Sequence, residues 1–191
     1  MSVTKSYDKD YIILAQLLIE SGQADKAAEV LEAAAVLFPE NAKIKMLLGH
    51  IYMNKKMEYT SAYFFKKGAY NDPQYLKDAV EMHRRVKDYP HAILLNSQMS
   101  DKVEKLKQKI AISLDRAEYE KVIGLKDDLE RYSLLADDNM RYALAYAYYM
   151  SKDYPSAEMH LKKIQDNNLF IKGTTILRNI EKCRENYLEC Y

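Results

Sequence analysis

The hexapeptides KDYPHA (Lys87–Ala92) and KDYPSA (Lys152–Ala157) differ at a single position. The chain has four prolines, and this phrase holds two of them. Proline lacks a backbone donor and fixes φ, so a helix tolerates it in the first turn and not in its interior. Asp88 and Asp153 stand two residues earlier, where a side-chain oxygen can accept from a free amide of that turn. The phrase therefore reads as a joint, a tight turn that starts a helix carrying Ala92 or Ala157. A duplicated chemical site is the competing reading.

Working outward, the same order of parts recurs. The runs YIILAQLLIE (11–20) and KAAEVLEAAAVLF (26–38) place apolar residues at helical spacing on both sides of SGQAD. Gly22 breaks the pattern, Asp25 is positioned to cap the second helix, and Pro39 closes the pair. From Ala42, IKMLLGHIYM and SAYFFKKGAY flank the turn NKKMEYT and end at Pro73. Tyr119 in RAEYEKV repeats the turn tyrosine, so Tyr89, Tyr119 and Tyr154 follow one another at 30 and 35 residues. The spacing predicts five helix hairpins over 8–41, 42–74, 75–102, 103–137 and 138–170, forming one domain over 1–191. The third is the least regular, with Asn96 where a large apolar residue is expected. After Gly173 and Thr174, the residues Ile176, Ile180, Cys183 and Tyr187 form one stripe. They predict a terminal helix over 174–190 that shields the last hairpin.

Composition agrees with an all-α chain. Five glycines among 191 residues are few for a turn-rich β fold or a Gly-rich phosphate loop. The net charge is +1 with no concentrated basic block, which argues against wholesale nucleic-acid binding. Seventeen tyrosines and nine methionines suit adaptable interfaces, or simply a core between helices. The apolar run Tyr11–Ile19 is too short and too interrupted for a membrane span or a secretory signal. Cys183 and Cys190 lie seven apart on one face of any continuous helix and cannot bridge within it. They read as reduced thiols of a cytoplasmic protein.

Leu48-Gly49, Tyr52, Ala62, Ala69 and Pro73 in the second unit resemble the tetratricopeptide repeat. So do Tyr11, Leu14, Ala15, Leu18, Gly22, Ala27, Leu31, Ala34 and Pro39 in the first. The last unit matches through Leu144, Ala145, Tyr148, Tyr154, Ala157, Leu161 and Ile164. Small residues let two helices of a hairpin cross closely, and large apolar residues lock each hairpin onto the next. The resemblance implies a right-handed superhelical array of hairpins whose first helices line a concave groove. It implies that Ile12, Gln16, Met46, His50, Met53, Lys77, Glu81, Arg84, Arg85, Tyr142, Tyr146, Tyr149 and Met150 face a peptide there. That lining is apolar at both ends and charged in the middle, and Arg84 and Arg85 are placed to pair with acids of the ligand.

No titratable cluster with a catalytic signature is visible, so no enzyme is expected. The Asp127-Asp128 and Asp137-Asp138 pairs sit at helix edges and read as caps. No Cys/His spacing suits zinc. The hairpin register would bring His50 towards His83, and two histidines without a third ligand make no metal site. No cofactor is expected. Ile12 and Gln16 stand where chaperone-binding members of the family carry a carboxylate clamp, which disfavours a co-chaperone. The expected function is protein binding by a module loosely similar to bacterial secretion chaperones, including those of type III secretion. The alternative is a structural adaptor or self-associating scaffold using its convex face or terminal helix.

Overall fold

A computed structural model describes residues 4–185 of the chain. It is all-α, with no strand among the described residues. The helices are α1 Thr4–Glu20, α2 Ala24–Leu37, α3 Ala42–Asn54, α4 Glu58–Asn71, α5 Leu76–Arg85 and α6 Tyr89–Gln98. They continue as α7 Lys102–Asp115, α8 Tyr119–Ile123, α9 Lys126–Arg131, α10 Asp138–Met150, α11 Tyr154–Leu161 and α12 Asn167–Glu185. The chain divides into two compact units within α7, after Gln108.

The turns within the hairpins share one geometry. Gly22, Lys56, Lys87, Ala117 and Lys152 have φ of +77°, +59°, +59°, +55° and +63°. At each, the next residue's amide donates five residues back: Gln23 to Leu18, Met57 to Tyr52, Asp88 to His83, Glu118 to Ser113 and Asp153 to Tyr148, at 2.8–2.9 Å. The left-handed residue itself donates three back, as Lys56 does to Met53. This paired bonding satisfies the free carbonyls at the end of the first helix. Four of the five positions bear a side chain in a conformation that glycine adopts without strain.

The two phrases are indeed joints. Asp88 and Asp153 are the N-caps of α6 and α11; their Oδ1 atoms accept from the amides of His91 (3.4 Å) and Ser156 (3.2 Å). Pro90 and Pro155 lie in the first turn. Ala92 and Ala157 are fully buried. Asp25 does not cap α2 as expected. Gln23 holds the cap position, and Asp25 instead pairs with Lys55 of the second hairpin.

In the first unit, Ile12, Ala15, Ala27, Leu31, Ala34, Ile44, Leu48 and Ile51 form a buried cluster joining α1, α2 and α3. A Cβ on Gly49 would meet the ring of Phe65 at 3.0 Å, and one on Gly68 would meet the Met46 sulfur at 2.8 Å. Small residues at these crossings are therefore a steric requirement. Asn96 is buried, and its Nδ2 donates to the Lys105 carbonyl at 3.0 Å, tying the end of α6 to α7.

In the second unit, α10 packs on α8, α11 and α12. Its buried residues are Ala143, Leu144, Ala145, Ala147 and Tyr148. The second helix of the fourth hairpin is broken into α8 and α9, and Val122 is fully buried where the other hairpins have alanine. The terminal helix starts seven residues earlier than the sequence predicts, at Asn167. Gly173 is inside it, buried against Leu161, whose Cδ2 would stand 3.3 Å from an added Cβ. Glycine marks a close helix approach here, not a helix start. Ile176 and Ile180 are buried as expected; Tyr187 and Cys190 lie outside the described residues.

Cys183 is disulfide-bonded, which corrects the expectation of reduced thiols. That expectation assumed one unbroken helix through Cys190, a residue that lies outside those described. The thiol argument for a reducing compartment falls with it. Among the described residues no helix is long and apolar enough to cross a membrane.

Candidate protein-binding surfaces

In the first unit, Ile12 and Gln16 meet in a shallow groove of about 390 Å³ with Asp8, Lys9, Ile13, Asn41 and Lys43. Ile12 is its floor at 7% exposure, while Gln16 is exposed. Met46 is buried at 4%, so it belongs to the packing of α3 against α4 and presents little surface. His50 is exposed and stands edge-on to Phe65, ring centroids 4.9 Å apart. Met53 is half-buried.

The charged residues of α5 are already engaged. Glu81 accepts from Arg84 at 2.9 Å and from Arg85 at 2.8 Å, and Lys77 pairs with Glu104 at 3.2 Å. Burial alone would raise the Glu81 carboxyl, but the bonds from Arg84 and Arg85 outweigh it and hold it below its ordinary value. An acidic ligand would have to compete with this pairing. The sequence reading placed Glu81 beside Arg84 and Arg85 in the same lining but left their pairing with one another out of account.

In the second unit, Tyr142, Tyr146 and Tyr149 are half-buried along α10, and Met150 is exposed. Tyr142 and Tyr146 stack with centroids 6.5 Å apart, Tyr146 meets Tyr119 edge-on at 5.9 Å, and Tyr149 lies 6.1 Å from Tyr154. Two turn tyrosines therefore support the α10 row. These rings brace the hairpins as well as offering a surface.

One open aromatic surface was missed by sequence reasoning. A cleft of about 570 Å³ lies between α2 and α4, lined among others by Val36, Pro39, Tyr63, Phe64, Lys67 and Tyr70. Val36 is 81% exposed, Tyr70 56% and Tyr63 51%. Phe64 forms the base, stacked on Tyr52 at 5.6 Å and edge-on to Tyr63 at 5.2 Å. The rim is polar: Lys45 donates to Asn71 at 2.8 Å, Asn71 to Glu40, and Lys67 stands over the Tyr63 ring. Glu32 accepts from the Tyr52 hydroxyl; that bond, with burial, pushes the phenol up to about 12. The signal was present in EYTSAYFFKKGAY, where Tyr59, Tyr63 and Tyr70 recur at helical spacing with no apolar partner assigned to them.

Residues 8–51, which span most of α1, all of α2 and most of α3, match the family model of the tetratricopeptide repeat. Over these residues the chain is similar to that family. No curated protein matches the chain. Tetratricopeptide repeats mediate contacts between proteins and are a non-enzymatic class of module. In this repeat, Ala15, Ala27 and Ala34 are fully buried at the helix crossings, and Gly22 makes the left-handed turn.

Proposed function

We propose that the chain is a non-enzymatic protein-binding module that holds an apolar or amphipathic segment of a partner protein. The observation that carries this reading is the α2–α4 cleft, with its exposed Val36, Tyr63 and Tyr70 above a packed aromatic base and a charged rim. Large exposed aromatics clustered in one concavity, rimmed by polar groups, are the usual form of a protein-interaction site. Each unit offers a further contact surface of its own, the groove at Ile12 and Gln16 in the first and the aromatic row of α10 in the second. A secretion-type chaperone that keeps such a segment from aggregating before export is one protein of this kind. Nothing in the charge pattern favours nucleic acid as the partner.

A photo-crosslinking residue placed at Tyr63, at Tyr146 and at exposed Glu29 tests this in cells. Crosslinking of one and the same partner from Tyr63, with Glu29 silent, supports the cleft. The same partner captured from Tyr146 alone moves the site to α10. No specific partner from either position overturns the reading.

A structural adaptor or self-associating scaffold is favoured by a different observation. On α1, Ile13, Leu14 and Leu17 are 55%, 47% and 57% exposed. Sedimentation of Leu17→Glu beside the parent protein decides between the two, since only an assembly built through α1 would dissociate.

A further inference from the structure

We propose that His83, Asp88 and His91 form a binding site for a divalent first-row transition ion, zinc above all, across the turn between α5 and α6. His83 Nδ1 lies 3.0 Å and His91 Nδ1 2.7 Å from Asp88 Oδ2, and the three ligand atoms lie within 4.8 Å of one another. A tetrahedral ion with bonds near 2.0–2.1 Å has ligand atoms roughly 3.3 Å apart, so each nitrogen–oxygen separation has to open by a few tenths of an ångström to admit it. Two imidazoles and one carboxylate suit zinc and its neighbours and leave a position for water; a hard ion such as calcium would want more oxygens.

The surroundings supply both a wall and an entrance. The His83 side chain is 5% exposed, while Asp88 and His91 are 32% and 43% exposed. The two rings stand 5.1 Å apart. Burial would raise the Asp88 carboxyl, but hydrogen bonds from His91 and His83 more than offset it and hold it below its ordinary value. Lys66 on α4 lies near the His83 ring and works against a cation. Asp88 Oδ1 caps α6, which leaves Oδ2 for the ion without disturbing the helix start. On binding, each neutral imidazole moves its proton from Nδ1 to Nε2; an imidazolium releases one proton to solvent.

The second phrase is an internal control. Asp153 caps α11 as Asp88 caps α6, and the Asp153 amide donates to Tyr148 as that of Asp88 does to His83. There Tyr148 and Ser156 stand in the places of His83 and His91. The same joint is therefore built without the imidazoles, so they are not needed to make the turn.

The test is calorimetric titration of the full chain with zinc chloride, and cobalt chloride followed by visible absorption. Zinc is expected to bind one per chain and to raise the melting temperature. Cobalt is expected to give d–d bands of a four- or five-coordinate site. His91→Ser copies the second phrase and should fold; it and Asp88→Asn, which keeps a capping oxygen, are expected to weaken zinc binding by about tenfold or more. Equal affinity in the parent and His91→Ser, or no binding below about 1 mM, overturns the proposal.

Discussion

The ring of Phe65 stands 3.0 Å from the point that a Cβ on Gly49 would occupy. Phe65 is 1% exposed and cannot move aside. Gly49→Ala gains about 1 kcal/mol of helix propensity but overpacks this crossing by about 1–3 kcal/mol. A net loss of about 1 kcal/mol is expected by urea unfolding. Gly68→Ala should be milder, because its nearest neighbour is the flexible Met46 side chain.

The left-handed turn residues give predictions of opposite sign. Lys152→Gly and Lys56→Gly relieve backbone strain and should each stabilise by about 0.5–1 kcal/mol, after the greater entropy of an unfolded glycine is subtracted. Gly22→Ala should destabilise by about 1 kcal/mol, through backbone conformation alone, since no atom lies within 4 Å of its Cβ position. Thermal melts of the three variants check this directly.

Asn96→Ala removes the bond to the Lys105 carbonyl and leaves a small void. A loss of about 1–2 kcal/mol is expected. Hydrogen exchange should show the α6–α7 junction opening more readily, with the second unit little changed.

His160 is 3% exposed, stacks on Tyr148 at 5.8 Å, and has no hydrogen-bond partner on either ring nitrogen. Burial first, and then Arg141, Lys163 and Lys126, hold it below its ordinary value, against a smaller opposing effect of Glu130. The unfolded chain therefore takes up the proton first. Its contribution is complete above about pH 6.5 and is lost as pH falls from there towards the lowered folded value. His160→Phe should flatten that part of the stability–pH curve. A curve unchanged by the substitution would refute a buried neutral imidazole.

Tyr146→Ala should lower the melting temperature, because Tyr146 braces both Tyr119 and Tyr142. Tyr63→Ala, at a ring 51% exposed, should leave the melt nearly unchanged while weakening partner capture. The pair of variants separates a structural ring from a contact ring.

The hairpins were legible because small residues and turn punctuation act locally. Ala15, Ala27, Ala157 and Leu161 are buried as the pattern requires, and Pro90 and Pro155 start helices. What escaped the sequence were contacts made sideways. The pairing of Glu81 with two arginines of its own helix depends on rotamers, and the meeting of His83 with His91 and the α2–α4 cleft depend on second helices. A groove template for first helices is blind to these. The Gly173 reading failed because glycine marks either a break or a close approach, and only the neighbour, Leu161, tells which.

The shared hydrogen-bond pattern at Gly22, Lys56, Lys87, Ala117 and Lys152 makes these points natural splice sites. A cut at one and a rejoining at another would close the backbone in the same conformation and restore a helix pair at the seam. Whole hairpins could thus be lost, gained or exchanged without redesigning a single loop.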